Sequence, residues 1–215
     1  NNNVFAAGED GIDVEDSFGV NIDGNTVLFS DENGIDVRDS AFVTIADNTA
    51  SFNGFAGIFV DPSSNITVSG NTANGNEVGI LFDAITDGMI SDNMLDGNEV
   101  GVLITDSSDI TLDGNTIDNS NIGLLVEGPD NGLITLTNNT FTDNEIGARI
   151  ESGLIDISDL DNPNTFNGGM TALQFERANT QDPFSLTLVD DTLGATQFFG
   201  QSDFYVELLD GAFFD

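Results

Sequence analysis

The chain has 215 residues, 39% of them hydrophobic, and sets 38 Asp and Glu against three Arg, with no Lys, no His and a formal net charge of −35. Arg38, Arg149 and Arg177 are too scattered to build a basic patch, so nucleic acid and anionic membrane surfaces are disfavoured partners. No run of 18 apolar residues predicts membrane insertion, and without Cys there is no disulfide framework.

The opening Asn3-Val4-Phe5 already has the phase of a repeat, which reads as a segment of a longer chain. From there two markers recur. Glycine stands at 11, 34, 57, 79, 101, 123 and 147, each time before an alternating apolar run. Asparagine keeps the same period at Asn3, Asn25, Asn48, Asn71, Asn93, Asn115, Asn139 and Asn164, usually followed by Thr or a β-branched residue. Self-similarity at this period predicts a solenoid whose neighbouring units bury a continuous core.

Residues 101–122, GVLITDSSDITLDGNTIDNSNI, divide into three short alternating runs separated by Asp, Ser, Asn and Gly. Period-2 alternation broken by turn residues predicts three strands per coil. Val102, Ile104, Ile110, Leu112 and Ile117 point inward, and the same slots hold Ile35, Val37, Val43, Ile45 and Ala50 in one coil and Leu124, Val126, Ile134, Leu136 and Phe141 in another. The apolar spacing of a helical solenoid is missing, and so is the leucine-rich repeat frame.

This G-I-x-V…I-x-x-N-T pattern resembles the right-handed parallel β-helix of the pectate-lyase-like class, with short coils of about 22 residues. The resemblance covers residues 3 to about 170 and implies seven to eight coils of three short strands. It implies no single activity, because that class holds lyases, hydrolases, epimerases, adhesins and structural fibres. The column Asn25, Asn48, Asn71, Asn93, Asn115 and Asn139 is expected to be a structural ladder, with stacked amides satisfying the turns. The glycines are expected at corners, through a positive φ or a close backbone approach.

Function must lie on outward positions. After each glycine the outward residue is Asp13, Asp36, Phe59, Leu81, Leu103, Leu125 and Arg149 in turn. Phe59, Leu81, Leu103 and Leu125 therefore form an apolar file about 15 Å long, expected to be covered by the C-terminal segment or by a second copy or neighbouring domain. The many turn acids would repel unless solvated or neutralised, which makes bound calcium an option, although no known calcium loop motif occurs.

The repeat fades near residue 171, so residues 1–170 are taken as the β-helix and 171–215 as a C-terminal β segment serving as cap or subunit contact. Phe204, Phe213 and Phe214 are the candidates for end contact. Without His, Lys or Cys, nucleophilic triads and zinc sites are excluded, and uronate lyase or epimerase chemistry lacks its usual base and cations. The resulting expectation is a non-catalytic extracellular or cell-surface β-helix, structural or adhesive, assembling into an oligomer or fibre. The alternative is a polysaccharide-binding or polysaccharide-cleaving β-helix that uses a carboxylate pair.

Overall fold

A computed structural model describes residues 1–157, 159, 161–175, 197–199 and 204–208. Its strands form three parallel walls that the chain visits in rotation. The first wall has nine strands: Ile12–Glu15, Ile35–Arg38, Ala56–Asp61, Val78–Asp83, Val100–Thr105, Ile122–Glu127, Ile146–Ile150, Thr171–Phe175 and Phe204–Leu208. The second has seven: Asn21–Asp23, Ala41–Ala46, Ser63–Ser69, Ile85–Ser91, Ser108–Asp113, Leu133–Thr137 and Leu154–Asp156. The third consists of strands three residues long, from Asn3–Phe5 to Gln197–Phe199, and at Thr72 it narrows to single bridges with Thr49 and Met94.

This is the parallel β-helix that the repeat implies, three strands to a coil. Adjacent coils pair in register: Leu103 lies opposite Leu125, Leu112 opposite Leu136 and Ile117 opposite Phe141. Because the side-chain period of a strand is two, this register sends every second residue of each wall to the axis. Val102, Ile104, Ile110, Leu112 and Ile117 are accordingly buried, and their counterparts above and below join them in one continuous core.

The periodic glycines owe their place to close approach. None of them has a left-handed φ. A Cβ on Gly101 would lie 2.4 Å from Ile117 Cγ2 and 2.5 Å from the Gly123 carbonyl oxygen, so only hydrogen fits. The left-handed corners are held by other glycines, such as Gly70 and Gly114, and most often by Asp and Asn, such as Asp47, Asp92 and Asn119, whose short polar side chains tolerate that region.

The Asn ladder runs through the third corner. Each member's backbone N–H and side-chain amide donate to the Oδ1 of the Asn one coil on, from Asn25 to Asn48 at 2.8 and 3.0 Å and from Asn93 to Asn115 at 3.0 and 2.9 Å. Its first rung is Asn2, which donates to Asn25; Asn3 instead pairs with Thr26 as a strand residue, which corrects the start of the column by one position. Sequence reading missed a second ladder, in which the backbone N–H groups of Ser30, Asn53 and Asn76 donate to Oδ1 of Asn53, Asn76 and Asn98, and that of Ser120 donates likewise to Asn144. Its signal was present, since Asn53, Asn76 and Asn98 keep the repeat's spacing.

Core volume is matched across walls. On the second wall Gly88 interrupts the inward column of Ile66 and Ile110, and the ring of Phe82 from the first wall fills the space. A Cβ at Gly88 would sit 2.7 Å from Phe82 Cε2 and 2.8 Å from Ile110 Cδ1. Gly88→Val should therefore overpack the core and cost about 1–3 kcal/mol. The double variant Gly88→Val/Phe82→Leu should recover part of that loss; equal melting temperatures for the single variant and the parent would refute this packing.

At the C-terminal side, Thr171–Phe175 still follows the first wall, with Leu173 opposite Ala148 and Phe204 opposite Thr171. Ala172 takes the position of the expected glycine and is buried. Phe213 and Phe214 lie outside the described residues, and Phe204 is placed as the first residue of its strand.

Candidate functional site

The strands Ile12–Glu15 and Ile35–Arg38 open the first wall, with Asp13 opposite Asp36 and Glu15 opposite Arg38. Ile35 and Val37 point to the axis, so Asp36 and Arg38 project from the outer face. Arg38 does not extend into solvent. Its Nη2 turns back one coil to lie 3.3 Å from Asp13 Oδ1 and 3.7 Å from Asp10 Oδ2, while its Nε lies 3.4 Å from Asp36 Oδ1, an ion contact whose angle falls short of a hydrogen bond. Asn33 ties the group together: its backbone N–H donates to Asp10 Oδ1 at 2.9 Å and its side-chain amide donates to Asp36 Oδ2 at 3.1 Å.

Three carboxylates thus surround one guanidinium, at graded depth. The Asp36 side chain is 2% exposed, that of Asp10 10% and that of Asp13 51%. Burial, reinforced by the negative charge of Asp10, pushes the Asp36 carboxyl up to about 7, against the opposing pull of Arg38. Burial and the nearby Asp10 carboxylate thus favour the protonated form of Asp36 well above the pH at which an ordinary aspartate ionises. Asp10 Oδ2 and Asp13 Oδ1 both contact Arg38 Nη2, so they are at most about 7 Å apart and one guanidinium holds both.

The acid file continues along the wall. Arg38 is opposite Asp61, and both Asp61 and Asp83 are pushed above the ordinary carboxylate range, first by burial and then by neighbouring aspartates. Beside this file runs the apolar one: Asp36 is opposite Phe59, then Leu81, Leu103 and Leu125 follow in register, before Arg149. Leu81 is not solvent-facing. Phe55, Phe59, Val100 and Leu103 pack around it with Ala56 and Val78, leaving it 6% exposed in a small core on the outside of the wall. Phe59, Leu103 and Leu125 are half-buried. Arg149 is engaged by Glu151 at 2.9 Å.

Sequence reading identified Asp13 and Asp36 as outward and took Arg38 only as one of three scattered arginines, and it did not bring them together. Subtracting one repeat of 23 residues carries Asp36 onto Asp13 and Asn33 onto Asp10, and that was the available signal. Among the described residues, no group of three or more His, Cys, Asp or Glu is arranged to hold a metal ion. No helix among them is long and apolar enough to cross a membrane.

A family model described as "Periplasmic copper-binding protein (NosD)" matches residues 1–171. No curated protein matches. Among solved structures, the periplasmic alginate epimerase AlgG is similar with a TM-score of 0.58 at 20% identity, over 94% of this chain and 48% of that one. The A-module of Azotobacter vinelandii mannuronan C-5 epimerase AlgE4 aligns with a TM-score of 0.55 at 14% identity, over 97% of this chain and 80% of that one. The enzymatically active domain of Bacteriophage CBA120 tailspike protein 2 aligns with a TM-score of 0.56 at 11% identity, over 85% and 39%. The chain spans about half the length of the first of these.

At such identities the likeness speaks for the fold. It also corrects the expectation of a non-enzyme, because these solved β-helices are epimerases and an enzymatically active domain. The missing His and Lys were too narrow a criterion. Copper in the family's description is tested by the donors present. Copper sites draw on Cys, Met and His; this chain has no Cys and no His, and exposed Met89 and Met94 stand on different walls. These residues do not fit a copper centre.

Proposed function

The chain belongs to the NosD family, and from that premise we propose that it is a polysaccharide-acting β-helix of the cell envelope, with its site at Asp10, Asp13, Asp36 and Arg38 on the outer face of the first wall. The observation that carries this reading is the geometry of the group, a carboxyl 2% exposed beside a guanidinium and two further carboxylates of increasing exposure, and burial there pushes the Asp36 carboxyl up to about 7. The similar solved structures named for alginate and mannuronan epimerases support a sugar polymer as the substrate class. The periplasmic descriptions of the family and of one neighbour support the envelope location.

The chemistry such a group supports is acid–base cleavage of a glycosidic bond. Asp10, resupplied through its contact with Asp36, donates a proton to the departing glycosidic oxygen. Asp13, the most exposed carboxylate, takes a proton from the water that attacks the anomeric carbon. Atoms balance as hydrolysis: water's hydroxyl goes to the anomeric carbon and its proton to Asp13. Arg38 positions Asp10 and Asp13 and balances their charge. Asp36 touches no substrate; it is a positioning residue that keeps a proton available.

The test is incubation with a panel of neutral and uronate polysaccharides, following reducing ends and the anomeric proton resonances. Asp10→Asn and Asp13→Asn should each lower turnover by about 10²–10⁴ while the melting temperature is kept. Asp36→Asn should displace the pH profile of the remaining activity. If no polysaccharide is bound or altered by the parent protein, the reading is wrong.

A further inference from the structure

The outer surface carries a second feature that this chemistry does not use. Phe18 and Phe42 stand at the corner between the first and second walls, 76% and 54% exposed, with ring centroids 5.0 Å apart. They border two shallow grooves. One, of about 570 Å³, begins beside the strand ends at Asp16 and Asp39 and runs past Phe18, Pro62 and Ser64. The other, of about 460 Å³, crosses the second wall from Phe42 past Thr67 and Met89 to Asp87 and Asp109.

The backbone at Phe42 makes the ring hard to explain as packing. Its φ is +56°, in the left-handed region, and the same place in neighbouring coils is taken by Gly19, Asn65, Asp87 and Asp109, all with positive φ. Gly, Asn and Asp suit that conformation; a bulky aromatic is an outlier there. Here the outlier also exposes an aromatic ring to water, so local strain and lost burial fall on the same residue. Such combinations accumulate where a surface meets a ligand.

We propose that the Phe18–Phe42 corner is a carbohydrate subsite for a neutral polysaccharide, which deepens and rests on the reading of the chain as polysaccharide-acting. Exposed rings stack on the C–H faces of sugars, and the flanking carboxylates and hydroxyls accept and donate hydrogen bonds to sugar hydroxyls. Charge selects the ligand class. Asp16, Asp39, Asp87 and Asp109 line the grooves and no Arg does, so a uronate polymer would meet uncompensated repulsion. The first groove starts one residue beyond Arg38, so a polymer lying there continues from the Asp10–Asp13 cluster around the corner.

Calorimetric titration with cellohexaose, mannohexaose and a mannuronate hexamer tests this on the parent protein, Phe18→Ala and Phe42→Asn. At least one neutral hexamer should bind, both substitutions should raise its Kd tenfold or more, and the mannuronate hexamer should not bind at 0.15 M salt. Phe42→Asn places the residue of the next coil at this backbone position, so its melting temperature should be equal or higher, separating lost binding from lost folding. Three outcomes overturn the subsite: neutral binding indifferent to both substitutions, binding confined to the mannuronate hexamer, or rings that mediate self-association while no glycan binds. Turnover that depends on Asp10 and ignores both phenylalanines would sink the subsite alone. Absence of both binding and turnover for every glycan would sink the proposed function as well.

Discussion

Asn93→Ala is expected to destabilise the protein by about 4 kcal/mol and to lower its melting temperature by roughly 10 °C. Asn93 Oδ1 accepts from the backbone N–H and the side-chain amide of Asn71, at 2.9 and 3.0 Å. Its own amide donates to the Val68 carbonyl and to Asn115 Oδ1, both at 2.9 Å. Asn71, Asn93 and Asn115 are each no more than 1% exposed, so water cannot replace what alanine removes. The Asn71 N–H and the Val68 carbonyl would be left buried without these partners, at about 1–3 kcal/mol each. Asn93→Asp should not rescue, because a carboxylate keeps the acceptor for Asn71 but has no donor for Val68 and adds a buried charge. Met94→Thr, next in sequence but exposed and matched to the Thr72 and Thr116 on either side, should be nearly neutral. Thermal melts by circular dichroism decide it: an Asn93→Ala melt within 2 °C of the parent would mean that the ladder contributes little.

That contrast shows where sequence reading works. Period-two alternation with a fixed coil length determines in and out, so Val102, Leu112 and Ile117 could be assigned to the core from their spacing alone. The Asn column was visible for the same reason, as one residue type in one phase. What periodicity does not carry is how far a side chain leans across coils. Arg38 reads as one of three scattered arginines, yet it bends back onto the coil before it and gathers two carboxylates there. Asp36 reads as outward and exposed, yet it is closed in. Leu81 reads as a contact residue, yet Val78 and Val100, at the starts of their own and the next strand, and Phe55 help cover it.

The exclusion of catalysis failed in a related way. It weighed which residue types are absent, whereas acid–base chemistry depends on how the carboxylates present are placed and desolvated. A chain with 38 acids offers many pairs by chance. Among the described carboxyls, Asp36 alone combines near-complete burial with a contact to a guanidinium and a coupling to a second carboxylate.

Asp36 therefore predicts an unusual pH dependence of stability. In the unfolded chain an aspartate loses its proton near pH 4, whereas in the folded protein Asp36 keeps it to about 7, first because of burial and then because of Asp10. Between those limits the unfolded state binds fewer protons than the native one, so this residue's contribution is fully present below pH 4 and is lost as pH rises through 7. Asp36→Asn cannot ionise; its amide can still accept from Asn33 and can donate toward Asp10 where the shared proton was. Parent and variant should melt alike at pH 4 and below, and at pH 8 the variant should be more stable by about 2 kcal/mol, allowing for structural relaxation, or roughly 4–8 °C. The comparison removes the background from the other acids, which both proteins share. Asp10→Asn gives an independent arm: with that charge gone and burial unchanged, the loss of stability should shift to lower pH. If the melting temperatures of the parent and Asp36→Asn stay parallel from pH 4 to 8, Asp36 is ionised throughout, and the protonated carboxyl on which the acid–base reading depends is absent.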